Sequence, residues 1–247
     1  EEWNRGDEHV VASPKQEWHQ GDKHGSSSNV AIVERLKHLY PDPFDDDFSA
    51  AAKFEEYSIL LEKELKIGSV QSQKYTPAML TEMQRQLLEL VRIGVICKCD
   101  TVPKFLSPVL MVMQKNKIRM CINYKKLNMY CNARAYCMPD LQCSVDELKG
   151  FKFYASFDLK KCYNQFLIKE ADRTYAAFST PFGNFMPTRV QFGFQGAPAF
   201  VQSHLSEALR TFPGCSDFRL FIDDAAVGAN TMEELNSKCE AFLKFCM

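Results

Sequence analysis

The chain has 247 residues, 46% apolar and 25% charged, which excludes a wholly disordered or collagen-like protein and leaves room for one large domain or two small ones. No apolar run approaches the roughly 18 residues a membrane-crossing helix needs, and residues 1–30 contain no signal-peptide h-region. The net charge of -1 averages two unlike parts: residues 1–73 carry 8 Lys and Arg against 15 Asp and Glu, and residues 98–173 carry 14 against 7. A basic body suits a phosphate-bearing partner, although a solvated surface has the same composition.

The chain starts at Glu1, which is expected of a piece excised from a longer product. Residues 1–40 read as a polar extension without sustained periodicity until about Val30. There Val30, Val33, Leu36 and Tyr40 predict a short helix that Pro41 and Pro43 stop. Residues 41–73 are an acidic lead-in, with Asp45, Asp46 and Asp47 in a turn and a second helix expected from about Ala50 to Leu65.

From residue 74 onward the signals sharpen. Thr76-Pro77 is an N-cap followed by Pro at the first helical position. Met79, Leu80, Met83, Leu87, Leu90 and Val91 form the apolar stripe, and Gly94 closes the helix. Val109 to Met113 and Ile118 to Tyr124 are predicted strands joined by the turn Gln114 to Lys117. Further strands are expected at Phe153 to Leu159, Tyr163 to Lys169 and Tyr175 to Thr180, and a helix at Ala197 to Phe212. Phe218 to Ile222 and Ala225 to Ala229 are short strands flanking Asp223-Asp224, and the capping box from Thr231 to Glu234 opens a last helix. This pattern predicts an α+β fold with a largely antiparallel sheet packed on helices.

The ten cysteines do not fall at zinc-site spacings: Cys97 and Cys99 have no second pair, while Cys121, Cys162, Cys215, Cys239 and Cys246 stand singly among apolar residues. They are read as reduced core residues of an intracellular protein. The chemistry is expected at Asp223 and Asp224, whose apolar flanks predict burial, because a buried carboxylate needs a cation or hydrogen-bond donors. Asp158 ends another apolar strand. Were the two strands neighbours, three carboxylates without a histidine would suit oxygen-loving Mg²⁺. The pair taken alone is equally a solvated acidic turn.

Four blocks resemble the reverse transcriptases of gypsy-like LTR retrotransposons and, more distantly, of retroviruses. They are Ile118 to Asn128, Phe157 to Gln165, Gln191 to Gln202, and Phe221-Ile222-Asp223-Asp224, which matches a YxDD box with Phe in the Tyr position. The blocks run in family order, and the likeness covers the chain from about Tyr75 to its end. Asn123, Tyr175 and Ala176 depart from the family, which usually has Asp, Lys and Thr there. The resemblance implies the fingers and palm of a right-hand polymerase over residues 74–247, with thumb and RNase H beyond the end of the chain. It also implies that Asp158, Asp223 and Asp224 are catalytic and hold two Mg²⁺, with Mn²⁺ as the alternative ion. Lys115 and Arg119 would contact the incoming triphosphate. Tyr163 would lie under the sugar and exclude a 2′-hydroxyl, Phe192 and Gly193 would shape the nucleotide site, and Gln202 would face the template.

The function so implied is RNA- or DNA-templated DNA synthesis as the reverse transcriptase core of a retroelement. Its partners would be a primed RNA or DNA template, deoxynucleoside triphosphates and the rest of a polyprotein, with no membrane. The expected location is cytoplasmic, in virus-like particles, or nuclear. The alternative is a catalytically silent reverse-transcriptase-like module that serves as an interaction or scaffold subunit.

Overall fold

The computed structural model describes residues 26–41, 53–65, 73–114, 117–132 and 136–247. The leader before residue 26, the Asp45–Asp47 cluster, the start of the helix expected at Ala50, and the turn residues Lys115 and Asn116 lie outside the described residues.

In chain order the elements begin with α1 (Ser26–Leu39), α2 (Pro77–Arg92), β1 (Ile96–Lys98), β2 (Ser107–Gln114), β3 (Lys117–Ile122), α3 (Lys125–Asn128), α4 (Leu141–Leu148) and β4 (Phe153–Asp158). A 3₁₀ turn (Cys162–Gln165) follows, then α5 (Glu170–Arg173), β5 (Phe178–Thr180), β6 (Gly183–Pro187), α6 (Ala197–Thr211), β7 (Arg219–Phe221), β8 (Asp224–Ala229) and α7 (Met232–Phe245). The fold is α+β, and the chain divides into two compact units.

One unit comprises residues 47–136 and 163–201. Its five-stranded sheet has the order β1-β6-β5-β2-β3. The Thr76 hydroxyl accepts the Met79 N–H at 3.3 Å and starts α2, with Pro77 at the first helical position where no N–H is needed. Met83 and Leu87 on α2 then bury against Ile93, Val95, Ile96, Val109, Phe178 and Phe185. Val91, assigned to the same stripe by spacing, is exposed. The sheet is antiparallel except for β2 with β5, a parallel pair that strand-by-strand reading does not anticipate.

Two expected elements in this unit take other forms. Residues 53–65 are not helical. Their backbone pairs with other segments instead: the Tyr57 N–H donates to Leu167 O at 2.8 Å, its C=O accepts the Lys169 N–H at 3.0 Å, and the Glu62 N–H donates to Tyr130 O at 2.9 Å. Tyr57 and Ile59 are buried while Leu60 is exposed, a two-residue period that belongs to an extended chain. The strand expected from Tyr163 to Lys169 opens as the 3₁₀ turn and keeps only single bridges at Leu167 and Ile168.

The other unit holds residues 137–162 and 202–247 together with α1. Its sheet is fully antiparallel, in the order β4-β8-β7. α7 lays Leu235, Cys239, Phe242 and Leu243 into the core. The Phe242 ring sits 4.6 Å from that of Phe157 and 4.7 Å from that of Phe218. The ten cysteines are free. Cys162, Cys215 and Cys239 are core residues as expected, whereas Cys121 is exposed because it faces outward on β3, and Cys246 because it follows the end of α7.

Candidate active site

β7 and β8 form a hairpin in which Phe221 pairs with Asp224, leaving Ile222 and Asp223 as a two-residue turn. Ile222 has φ 58°, and Asp223 is not among the residues with positive φ, which is the pattern of a type II′ turn. Glycine normally occupies that first turn position. A β-branched residue there stores strain of about 1–3 kcal/mol and persists only where its surroundings hold it.

Three groups hold this turn. The fully buried Gln202 accepts the Ile222 N–H through its side-chain oxygen and donates through its nitrogen to Leu220 O at 2.9 Å and Ser206 Oγ at 3.0 Å. The Cys162 thiol donates to Ile222 O at 3.7 Å. The Leu159 N–H donates to Asp223 O at 2.6 Å. The backbone that carries Asp223 and Asp224 is therefore fixed from α6 and from the loop after β4.

β4 and β8 pair so that Asp158 lies directly opposite Asp224. Opposed residues project from the same face of a sheet with Cβ atoms about 4.5–5.5 Å apart, so these two carboxylates leave the sheet side by side, with Asp223 next along the chain. The burial expected from the apolar flanks is not found: Asp223 is half-buried, and Asp158 and Asp224 are exposed because they stand at the strand ends. Partial desolvation, then Asp223 and Asp158, push the Asp224 carboxyl up to about 6. Burial and the same two acids also raise the Cys162 thiol. Among the described residues no three His, Cys, Asp or Glu side chains are drawn together closely enough to hold a metal ion. Asp158 and Asp224 thus share one edge of the sheet.

The residues expected to meet the nucleotide lie on the five-stranded unit. Arg119 is exposed on the outward face of β3, opposite Val112, and Lys115 lies outside the described residues. Tyr163 is 5% exposed, and its ring packs 4.5 Å from that of Phe192, which is 62% exposed. Gly193 has φ 95°, a conformation that excludes most side chains even though a Cβ there would meet only ordinary contacts. Asn128 clamps this loop: its Nδ2 donates to Gly193 O at 2.7 Å and its Oδ1 accepts the Gln195 N–H at 3.1 Å. The clamp lies within a block singled out in the sequence, but no spacing rule marks Asn128 itself.

Gln202 requires a correction. The resemblance implies template contact for it, yet it is 0% exposed and its amide bonds the β7–β8 hairpin instead. A glutamine among apolar helix residues signals a buried amide or a surface contact alike, and only the neighbouring strand decides which.

The family model described as Reverse transcriptase (RNA-dependent DNA polymerase) matches residues 103–247, and the chain belongs to that family. It is 32% identical over 181 residues to the Enzymatic polyprotein of Cauliflower mosaic virus (strain Strasbourg), covering 72% of this chain and 26% of the polyprotein. It is 31% identical over 162 residues to the Retrovirus-related Pol polyprotein from transposon opus of Drosophila melanogaster, covering 63% and 16%. Viral and transposon relatives thus match at nearly equal identity, and the chain spans about a quarter or less of their length. Among solved structures, the foamy viral protease-reverse transcriptase in complex with an RNA/DNA hybrid has the same fold, with a TM-score of 0.77 at 17% identity over 92% of this chain and 30% of that one. The fold is that of polymerase fingers and palm.

Proposed function

We propose that the chain is the polymerase core of a retroelement polyprotein and extends a primer with deoxynucleotides on an RNA or DNA template. The observation that carries this reading is the register of β4 against β8, which sets Asp158 beside Asp224 at a turn held in a strained conformation. A scaffold subunit has no use for acids crowded beside a strained turn.

In the reaction the primer 3′-oxygen bonds to the α-phosphorus as the bond to pyrophosphate breaks. Asp158, Asp223 and Asp224 would hold two Mg²⁺. The fit rests on the register that sets Asp158 opposite Asp224, with Asp223 next along the chain, since carboxylate oxygens are the donors a hard divalent cation takes. When bound, such ions lower the pKa of the attacking hydroxyl and offset charge on the phosphates. Gln202, Cys162 and Leu159 keep the carboxylate-bearing backbone from relaxing. Arg119 offers a planar guanidinium to the triphosphate oxygens. Tyr163, backed by Phe192, presents a fixed ring to the sugar. Gly193 lets backbone approach the substrate closely.

Primer extension tests the reading. Elongation on RNA and on DNA templates in Mg²⁺, abolished by chelator, is the expected result. No elongation with Mg²⁺ or Mn²⁺ on either template, together with stoichiometric copurification of a protein partner, would replace it with the scaffold reading.

A further inference from the structure

Among the described residues β3 is the last strand of its sheet, with no strand beside one of its edges. Along that side the backbone of Ile118 and Met120 meets a single side chain. Gln86, on α2, donates from Nε2 to Ile118 O at 2.8 Å and accepts the Met120 N–H on Oε1 at 3.0 Å. A carboxamide has the donor and acceptor of a peptide group, and here it takes the place a further strand would fill. The residue between its two partners is Arg119.

We infer that Gln86 is a positioning residue for Arg119, holding the β3 backbone on both sides of it so that the guanidinium is presented to a triphosphate. This inference rests on the triphosphate-binding role proposed above for Arg119.

Gln86 is itself held in place. Its Nε2 also donates to Glu82 Oε1 at 2.7 Å, and Arg85 grips Glu82 with two bonds of 2.7 and 2.9 Å. Arg85 and Gln86 hold the Glu82 carboxyl below its ordinary value. Beside Gln86 on the helix, Met83 and Leu87 are buried in the core. On β3 the flanking Ile118 and Met120 are partly buried, and Arg119 alone of the three is exposed. A guanidinium lies about 6 Å from its Cα, so a twist of about 10° in the strand moves it about 1 Å, a displacement that can cost roughly 10²-fold in a reaction.

The test measures the dissociation constant of the chain for inorganic triphosphate by isothermal titration, alongside amide hydrogen exchange at Met120. Arg119→Ala should weaken binding about tenfold, as loss of a charged hydrogen-bonding group does. Gln86→Leu should speed Met120 exchange and weaken binding about threefold or more. Gln86→Glu keeps the acceptor for Met120 and loses the donor to Ile118, so it should fall between. Gln84→Leu, on the exposed side of the same helix, should change neither readout. The double variant Gln86→Leu with Arg119→Ala should bind no more weakly than Arg119→Ala alone, because a positioning effect vanishes with the group it positions. If Arg119→Ala weakens binding but both Gln86 variants leave it unchanged, the inference falls and the nucleotide reading stands. Additive losses in the double variant overturn it too, in favour of a general packing role. If Arg119→Ala has no effect, the nucleotide reading of Arg119 fails and the inference with it.

Discussion

At Asp224, partial desolvation and two neighbouring acids push the carboxyl up to about 6 from an ordinary 3.8. The folded protein therefore binds this proton more tightly than the unfolded chain, and the associated stability is complete below about pH 4 and lost as pH rises through 6. In chelator, thermal stability should fall across that window, and Asp224→Asn should flatten the profile. Magnesium should restore stability at pH 7 in the wild type and have little effect on the variant. A flat wild-type profile would remove the charge crowding from the account. Tyr163 makes a second case at this scale. Its ring is braced by Phe192, so Tyr163→Ala should raise ribonucleotide incorporation relative to deoxynucleotide incorporation in primer extension. An unchanged ratio would leave Tyr163 a core aromatic. The acids were legible in the sequence because apolar flanks make a charged pair conspicuous. Gln202 and Gln86 were not, since an amide that pairs with backbone far along the chain leaves no local pattern.

Elements were legible where a local signal dominated. The N-caps Thr76 and Thr231 begin α2 and α7 as expected, because a hydroxyl accepting an early helix N–H is a short-range device. Local pattern predicts helix for the extended segment around Tyr57, because the backbone partners of this segment at Leu167, Lys169 and Tyr130 lie about 70 residues or more away. α4 places Leu141, Val145 and Leu148 on one face at helical spacing, yet it has no buried residue. β8 shows how an element can depend on one small residue. A Cβ built on Gly228 would lie 2.3 Å from the Phe151 ring, which covers the strand on one side. Lys238 on α7 donates to Gly228 O at 3.0 Å and pairs with Asp217 and Glu234 at 2.9 and 2.8 Å, tying the helix to the same point. Gly228→Ala should therefore destabilise the fold by about 1–3 kcal/mol through overpacking, measured by urea denaturation. Adding Phe151→Leu should recover part of the loss. A neutral Gly228→Ala would show that the ring moves aside freely.

For the whole molecule, each compact unit is assembled from separated stretches of chain, which is why strand order could not be read from the sequence. Charge follows the same division. Residues 47–136 and 163–201 carry 17 Lys and Arg against 10 Asp and Glu, while residues 137–162 and 202–247 carry 8 against 11. The acidic segments include the three aspartates, and the basic ones include Arg119. Nucleic-acid binding by such a chain should be dominated by phosphate contacts and should weaken steeply and linearly in log-log form with salt. A salt-independent affinity would exclude that mode. If the three aspartates act together, Asp223→Asn disables the site at a single atom exchange. The readout is primer extension in Mg²⁺ on an RNA template, with circular dichroism as the check on folding. The expected result is a native spectrum with elongation reduced to background. A natively folded Asp223→Asn that extends primers at the wild-type rate would contradict it.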